Sequence, residues 1–222
     1  GRARAVAAPH APAELPRAER VGPGRVAAVA HERLETRVLV ARVVKRGEEG
    51  GTREGTDKAN TWIVDPLDGT TNYVHSLRSF AVSIALYHRQ TPLVGTVLDP
   101  VLEECYWASR GLGAKLNGEP IHASGCKEID KSLFVFSFPR GMTRTNPEVV
   151  RFLNMLENVG SIRRLGSAAL NLCYVACGRA DGYWATSLAK WDVAAGWLIA
   201  REAGASVADF RGNEILLTKK KL

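Results

Sequence analysis

Short apolar runs separated by turn-forming residues predict a series of β-strands through the middle of the chain. The pattern becomes regular from Thr61, where Gly, Pro, Asn and Asp bound each run. The predicted strands cover residues 61–66, 79–88, 93–100, 104–110, 132–138 and 181–186. The Gly-rich segment 111–121 is predicted to be a turn region rather than a strand.

Helical apolar spacing and capping residues predict three helices in the second half of the chain. The helices are expected over residues 146–159, 167–178 and 192–204, and Asn146, Ser167 and Asp192 are the predicted N-caps. Pro147 suits the first helical turn because its missing N–H has no partner there. Strands mixed with helices indicate an α/β (α+β) fold in layers.

The first 45 residues differ from the rest in composition. Ala, Arg, Val, Pro and Glu dominate, and little hydrophobic periodicity precedes Val26. Residues 31–46 are compatible with either a helix or a strand. We therefore expect residues 1–45 to be an atypical segment, divergent or disordered, and residues 46–222 to form the main domain.

Composition and charge favour a globular protein without a membrane or nucleic-acid partner. The 222 residues are 45% hydrophobic and 24% charged, and no apolar run approaches the roughly 20 residues that span a bilayer. The net charge of +7 comes from the ends, because residues 1–60 contribute +4 and residues 219–221 contribute +3. Residues 61–218 are neutral, so a basic groove for nucleic acid is not expected.

The four cysteines do not form the dense disulfide framework of a small secreted protein. They are Cys105, Cys126, Cys173 and Cys177. Cys173 and Cys177 are four residues apart on a predicted helix, but no His or Cys at suitable spacing supports a zinc site. We expect Cys173 and Cys177 to be structural residues, since Cys is often simply a small buried hydrophobe, and we expect the protein to occupy a reducing, cytoplasmic environment.

The run WIVDPLDGTTN, residues 62–72, carries the main indication of chemistry. A predicted strand ends at Asp65 and Asp68, and Pro66 restricts the backbone between them. Two carboxylates this close suit Mg²⁺, which prefers oxygen ligands. Taken alone, Asp-Pro and Asp-Gly are also common turn formers.

The Gly-Thr-Thr sequence that follows suits a phosphate. Gly69 allows the backbone to approach a ligand closely, and Thr70 and Thr71 can begin a helix whose N–H groups attract anions. Metal and phosphate ligands together predict phosphoryl chemistry.

Three motifs in this order resemble the inositol monophosphatase family of Mg²⁺-dependent phosphatases. They are the acidic pair Glu48-Glu49, the run DPLDGTT from Asp65, and the run WDVAAG over residues 191–196. The resemblance covers about residues 47–218. It implies a layered α/β/α/β/α sandwich of the inositol monophosphatase and fructose-1,6-bisphosphatase type, shortened here at both ends. A homodimer is expected to cover apolar surface that the shortening exposes.

The resemblance also implies a site for two or more Mg²⁺ ions. In similar enzymes the equivalents of five residues hold the metals: Glu48, Asp65, Leu67 through its carbonyl oxygen, Asp68 and Asp192. Asp65 bridges the two ions. Glu48 and the hydroxyl of Thr70 orient and deprotonate the attacking water.

The substrate side of the site is implied in the same way. The phosphate is expected on the N–H groups of Gly69, Thr70 and Thr71. The remainder of the substrate is expected beside Gly166, Ser167 and Ala168.

A small polyol or sugar phosphate is the leading substrate class. Animal members carry a Glu seven residues before the WD aspartate, where this chain has Ala185, and the difference weakens inositol phosphate specificity. Inositol monophosphate, fructose bisphosphate, histidinol phosphate and phosphoadenosine phosphate remain candidates. The main alternative is a catalytically impaired relative that acts as a binding or regulatory partner, since some bacterial members associate with the transcription machinery. A general sugar-binding protein would leave the acidic spacing unexplained.

Overall fold

An eight-stranded sheet forms the larger β-layer of the fold. The computed structural model describes residues 43–47, 51–53, 57–139 and 141–213, which belong to a compact unit spanning Leu39–Leu222. The strands are β1 (Val43–Gly47), β2 (Gly51–Arg53), β3 (Asp57–Asp68), β4 (Ala81–His88), β5 (Thr91–Asp99), β6 (Glu104–Ser109), β7 (Ala114–Leu116) and β8 (Glu119–Ile121). They lie in the order β2-β1-β3-β4-β5-β6-β7-β8. Neighbours are antiparallel except β1 and β3, which are parallel.

A second sheet has three parallel strands. These are β9 (Leu133–Ser137), β10 (Ser161–Arg163) and β11 (Gly182–Ala185), in the order β10-β9-β11. A 3₁₀ turn at Ile129–Lys131 precedes β9. Because the strands are parallel, their carboxyl ends meet at one edge of the sheet.

Four helices complete the described part of the chain. They are α1 (Thr70–Val74), α2 (Pro147–Leu156), α3 (Ala168–Ala176) and α4 (Lys190–Glu202). Buried side chains of α3 and α4 share one core with the large sheet, and Tyr183 of β11 packs against the same core. These two helices therefore separate the two sheets.

The outer face of the small sheet is covered by α2. Phe152 of this helix stacks edge-on against Phe136 and Phe138, with ring centroids 5.1 Å apart in each pair. The described layers are thus the large sheet, α3 with α4, the small sheet and α2. The predicted layered α/β sandwich is confirmed.

One close approach fixes α4 on the large sheet. A Cβ at Gly95 of β5 would lie 2.8 Å from the carbonyl oxygen and 3.0 Å from the Cα of Ala195. The absence of a side chain at residue 95 therefore lets the helix backbone rest directly on the strand.

The structure corrects several sequence-based expectations. Segment 111–121 is not only a turn region, because it holds the β7–β8 hairpin, whose two-residue turn is formed by Asn117 and Gly118 with φ of 50° and 97°. The predicted third helix begins at Lys190, so Asp192 is its third residue and not its N-cap. Strand β10 was not predicted at all.

Other expectations hold where the structure describes them. Asn146 and Ser167 cap α2 and α3, through side chains that accept from the N–H groups of Glu148 and Leu170. For residues 31–46 the sequence was compatible with a helix or a strand. Residues 43–46 belong to strand β1, and residues 31–42 lie outside the described residues. In the described part of the chain, no helix combines the length and apolar character needed to cross a membrane.

Candidate functional site

Three aspartates from distant parts of the chain converge at one point. Carboxylate oxygens of Asp65, Asp68 and Asp192 all lie within 4.8 Å of one another. Asp65 and Asp68 are buried, with 1% and 7% of their surface exposed, and Asp192 is half-buried. Charges this close repel each other strongly unless a cation lies between them.

An irregularity in β3 allows Asp65 and Asp68 to face the same point. On a regular strand, residues three apart point to opposite faces of the sheet. Asp65 pairs with Ser83 and Asp68 with Ala81, and the register shifts between the two pairs. Pro66 lies within the shift, where its missing N–H costs no ladder hydrogen bond.

The first turn of α3 holds Asp68 in place. Oδ2 of Asp68 accepts a hydrogen bond from the N–H of Ala169 at 2.8 Å and another from the hydroxyl of Ser167. Negative charge is favoured at this end of a helix, where backbone N–H groups lack intrahelical partners. Ser167 is fully buried and also accepts from the N–H of Leu170 at 3.2 Å.

Asp192 is held by the start of its own helix. Its Oδ2 accepts a hydrogen bond from the N–H of Ala189, the residue before α4, at 2.7 Å. A carboxylate at the third helical position suits the positive end of the helix dipole. The contact fixes the direction of the side chain toward Asp65 and Asp68.

The turn between β3 and α1 links the remaining predicted groups. Oδ1 of Asp65 accepts from the N–H of Leu67 at 3.0 Å, and the hydroxyl of Thr70 donates to the carbonyl of Leu67 at 3.0 Å. Gly69 has φ of 87°, and a Cβ there would lie 2.9 Å from the carbonyl oxygen of Ser79. Both the conformation and the space therefore require glycine.

Asn72 joins this turn to the segment before α3. Its buried side chain donates to the carbonyl oxygens of Ser79 at 2.7 Å and Leu165 at 2.6 Å. This contact connects the DPLDGTT turn with the residues that lead to Ser167. Asn72 was not predicted as part of the site.

A cleft of about 240 Å³ contains the three aspartates. Predicted site residues that line it include Asp65, Leu67, Asp68, Gly69, Thr70, Gly166, Ala168 and Asp192. Four further residues also line it: Ser137, Phe138, Arg164 and Leu188. The available sequence signal was that these four residues lie at or shortly after the carboxyl ends of strands, but β10, which precedes Arg164, was not predicted.

Tyr183 supports the floor of the cleft at Ser137. Its hydroxyl hydrogen bonds with the Ser137 hydroxyl at 3.0 Å. Burial raises the pKa of Tyr183 to about 12, and the negative charges of Asp68 and Asp192 act in the same direction. The phenol therefore stays protonated at neutral pH.

Three of the predicted site residues are not among the described residues that line the cleft. Glu48 lies outside the described residues, so its role stays a prediction. Thr71 is exposed and is not among the residues that line the cleft. Ser167 lies behind Asp68, where it contacts that carboxylate.

The donor set of the cleft fits a hard divalent cation. The three clustered side chains offer only carboxylate oxygens, and Leu67, whose carbonyl oxygen accepts from the Thr70 hydroxyl, lines the same cleft. Mg²⁺ and related cations prefer such ligands, whereas zinc sites usually include nitrogen or sulfur.

None of the four cysteines forms a disulfide, and buried Cys173 has a pKa raised by burial, which keeps its thiol protonated.

Comparison with known sequences gives a consistent result. The sequence model of the inositol monophosphatase family matches residues 26–222. A protein named Nus factor SuhB from Vibrio cholerae is 46% identical over 166 residues, which cover 74% of this chain and 62% of the relative. An inositol-1-monophosphatase from Mesorhizobium japonicum is 43% identical over 171 residues, which cover 77% and 64%. The chain thus spans less than two-thirds of the length of these two relatives.

Solved structures agree with the sequence comparison. The inositol monophosphatase from Anabaena superposes with a TM-score of 0.76 at 35% identity, covering 89% of this chain and 76% of that one. The extragenic suppressor protein suhB from Bartonella henselae superposes with a TM-score of 0.76 at 34% identity, covering 89% and 77%.

Proposed function

The chain belongs to the inositol monophosphatase family, and on that premise we propose that it is a Mg²⁺-dependent phosphomonoesterase acting on a small phosphorylated metabolite. The observation that carries the proposal is the convergence of Asp65, Asp68 and Asp192 beside Thr70 in one cleft. Buried, clustered carboxylates are costly without a cation, so their arrangement supports metal binding.

The proposed metal ligands are the three aspartates, the carbonyl of Leu67, and Glu48. Two Mg²⁺ ions bound there would supply a nucleophilic water at neutral pH and neutralise the charge of the leaving oxygen. The hydrogen bonds to Asp68 and Asp192 from the starts of α3 and α4 support this assignment, because they orient the carboxylates before any ion binds.

Thr70 and the adjoining turn would handle the water and the phosphate. The Thr70 hydroxyl donates to Leu67, which leaves its oxygen lone pairs to accept from the attacking water. Glu48 would take the proton. The N–H groups of Gly69 and Thr70, which line the cleft, would bind the phosphate oxygens as negative charge develops on them.

The size of the cleft supports a small substrate. Its volume of about 240 Å³ lies below the roughly 300–1,000 Å³ of typical ligand pockets. A polyol or sugar phosphate therefore remains the leading class. Gly166 and Ala168 line the cleft and would contact the polyol or sugar part of the substrate.

Two further features belong to the same proposal. A homodimer was predicted from the sequence, and sedimentation of the purified chain would test it. A cytoplasmic location was predicted from the cysteine content and is tested by fractionation of the source cells.

A second candidate function is a binding or regulatory role. It is favoured by one observation, that several relatives at 43–46% identity carry the name Nus factor SuhB. The two functions make different predictions for Asp192→Asn. A pure binding role would survive this substitution, whereas catalysis would not.

The test is release of phosphate from a panel of small phosphomonoesters, with Mg²⁺ and with EDTA. We expect Mg²⁺-dependent turnover that Asp192→Asn lowers by about 10³-fold or more, because a ligand charge is lost while the shape is kept. Asp130→Asn is the matched control, since Asp130 is an exposed acid in the 3₁₀ turn and does not line the cleft. Turnover that resists both EDTA and Asp192→Asn would contradict the proposal.

A further inference from the structure

The cleft has a wall built from the ends of the small sheet. Ser137 and Phe138 lie at the carboxyl end of β9, Arg164 directly follows β10, and Leu188 lies in the loop after β11. All three strands are parallel, so their carboxyl ends open together onto the cleft. We call these four residues the strand-end wall.

Arg164 is the one basic residue among the described residues that line the cleft. Its side chain is exposed, and Nη2 donates to the carbonyl of Phe138 at 3.2 Å. The ion pairs found among the described residues do not include it. The contact with Phe138 anchors one edge of the guanidinium, which has five N–H donors in a planar fork.

The strand-end wall offers donors and apolar surface but no carboxylate. Within the described part of the chain, the acids that line the cleft are Asp65, Asp68 and Asp192, which already converge on one another. A guanidinium has only hydrogen-bond donors. It therefore suits carboxylate and phosphate oxygens, which it can bind with two parallel hydrogen bonds. Phe138 and Leu188 would pack against a carbon skeleton rather than against hydroxyl groups.

We propose that the substrate of this site carries a second anionic group, phosphate or carboxylate, in addition to the phosphate ester, and that Arg164 binds this group. The inference rests on the proposed function, because it assigns the three aspartates to the reacting phosphate. It makes Arg164 a determinant of specificity, with no part in the hydrolytic step. A neutral polyol phosphate would then be a poorer substrate than a doubly anionic one.

The test compares substrates that differ in the second anionic group. Fructose 1,6-bisphosphate is paired with fructose 1-phosphate for a second phosphate, and 2-phosphoglycerate is paired with glycerol 2-phosphate for a carboxylate. For the full chain with Mg²⁺, we expect kcat/KM to be at least about 10-fold higher for the doubly anionic member of one pair. The pair that shows this preference identifies the anion.

Substitution of Arg164 should remove the preference selectively. Arg164→Ala is expected to raise KM for the preferred substrate by about 10- to 100-fold, the effect of losing a hydrogen bond to a charged group, with kcat nearly unchanged. KM for the neutral partner should change less than about threefold. Arg164→Lys should restore part of the affinity, because the charge returns without the planar fork.

Arg163→Ala is the matched control. Arg163 is the adjacent exposed arginine, it does not line the cleft, and its guanidinium donates to the carbonyl of Ile162. We expect no change in KM for either member of a pair. A loss in Arg164→Ala that is equal for both members, or no preference in the unaltered chain, would overturn the inference.

Failure of the proposed function is distinguishable from failure of this inference. Calorimetric titration of the Asp192→Asn variant with each pair measures binding without turnover. Tighter binding of the doubly anionic member, lost when Arg164→Ala is added, would support the role of Arg164 even if no ester is hydrolysed. Equal binding of both members would overturn it.

Discussion

Asp68 and Ala169 are joined by a hydrogen bond of 2.8 Å between the carboxylate of one and the backbone N–H of the other, across 101 positions of the sequence. The contact attaches the end of β3 to the start of α3. It therefore makes the position of a site carboxylate depend on the packing of the helix layer on the large sheet.

Replacing Ser167 should weaken both α3 and the site. Ser167→Ala removes the hydroxyl that donates to Asp68 and that caps α3 by accepting from the N–H of Leu170. We expect a loss of about 1–2 kcal/mol in the free energy of unfolding. The Mg²⁺ concentration for half-maximal activity should rise about 10- to 100-fold, because the carboxylate loses its support. Urea denaturation and Mg²⁺ titration measure the two effects.

Asn146→Ala is the control for this experiment. Asn146 caps α2 with one hydrogen bond to the N–H of Glu148 at 2.9 Å, on the far side of the small sheet. Its loss should cost about 1 kcal/mol of stability and leave the Mg²⁺ requirement unchanged. Equal Mg²⁺ requirements in the two variants would show that the Ser167–Asp68 contact does not support the site.

Mg²⁺ should stabilise the folded chain through the three aspartates. At a Mg²⁺ concentration 100 times the dissociation constant, we expect a gain of about 2.7 kcal/mol, seen as a rise in Tm. Asp65→Asn should affect Tm differently without and with Mg²⁺. It should raise Tm without metal, because repulsion within 4.8 Å is relieved, and it should abolish the gain on adding Mg²⁺.

The measurement is a thermal melt with EDTA and with a series of Mg²⁺ concentrations. A Tm of the unaltered chain that does not depend on Mg²⁺ would contradict metal binding at this cluster. Asp130→Asn should retain the full Mg²⁺ response.

Gly95→Ala should disturb α4 and, through it, Asp192. The new Cβ would lie 2.8 Å from the carbonyl of Ala195, so we expect a loss of about 1–3 kcal/mol in stability. Because Ala195 is one helical turn after Asp192, the Mg²⁺-dependent rate should fall as well. Chemical denaturation and phosphate release measure the two changes.

Gly111→Ala is the control for Gly95→Ala, because it introduces backbone strain without a steric contact. Gly111 has φ of 76° and nothing within 4 Å of an added Cβ, so the cost should be about 1 kcal/mol, from the backbone conformation. The rate should not change. A fall in rate similar to that of Gly95→Ala would argue that general destabilisation, and not displacement of α4, is responsible.

The ion pair between Glu104 and Arg179 should make stability depend on acid pH. Both guanidinium Nη atoms donate to the carboxylate at 2.6 Å, and these bonds hold the pKa of Glu104 below its usual 4.5. Since the folded pKa is the lower one, the contribution is complete above the unfolded value and is lost as pH falls through the folded pKa. At pH 7, Glu104→Gln should be less stable by about 1–2 kcal/mol.

Denaturation at neutral and acid pH tests the sign. The difference between the unaltered chain and Glu104→Gln should shrink progressively as the pH is lowered from 7 to well below 4.5. A difference that stays constant over this interval would exclude the carboxylate charge as its source.

Local chemistry was predicted where a few neighbouring residues decide it. Asn146 and Ser167 were identified as caps because their side chains bind backbone N–H groups within the first helical turn. The β7–β8 hairpin was missed, although Asn117-Gly118 between strand-forming residues is a strong signal for a two-residue turn. Asp192 was assigned as a cap because an acidic residue often begins a helix, but Lys190 and Trp191 are already helical.

The sequence by itself determined the family, the layered α/β fold class, and the identity of the three acids that are proposed to bind metal. The fold class and the pair Asp65 and Asp68 follow from residue types and spacing along single segments, whereas the family and the role of Asp192 follow from the resemblance of three ordered motifs. Only the tertiary structure decided that Asp68 rests on α3, that a register shift in β3 turns Asp65 and Asp68 to one point, and that Arg164 enters the cleft. The reason is physical: the parallel pairing of β9, β10 and β11 joins segments far apart in the chain, so no local pattern records which strand ends will meet.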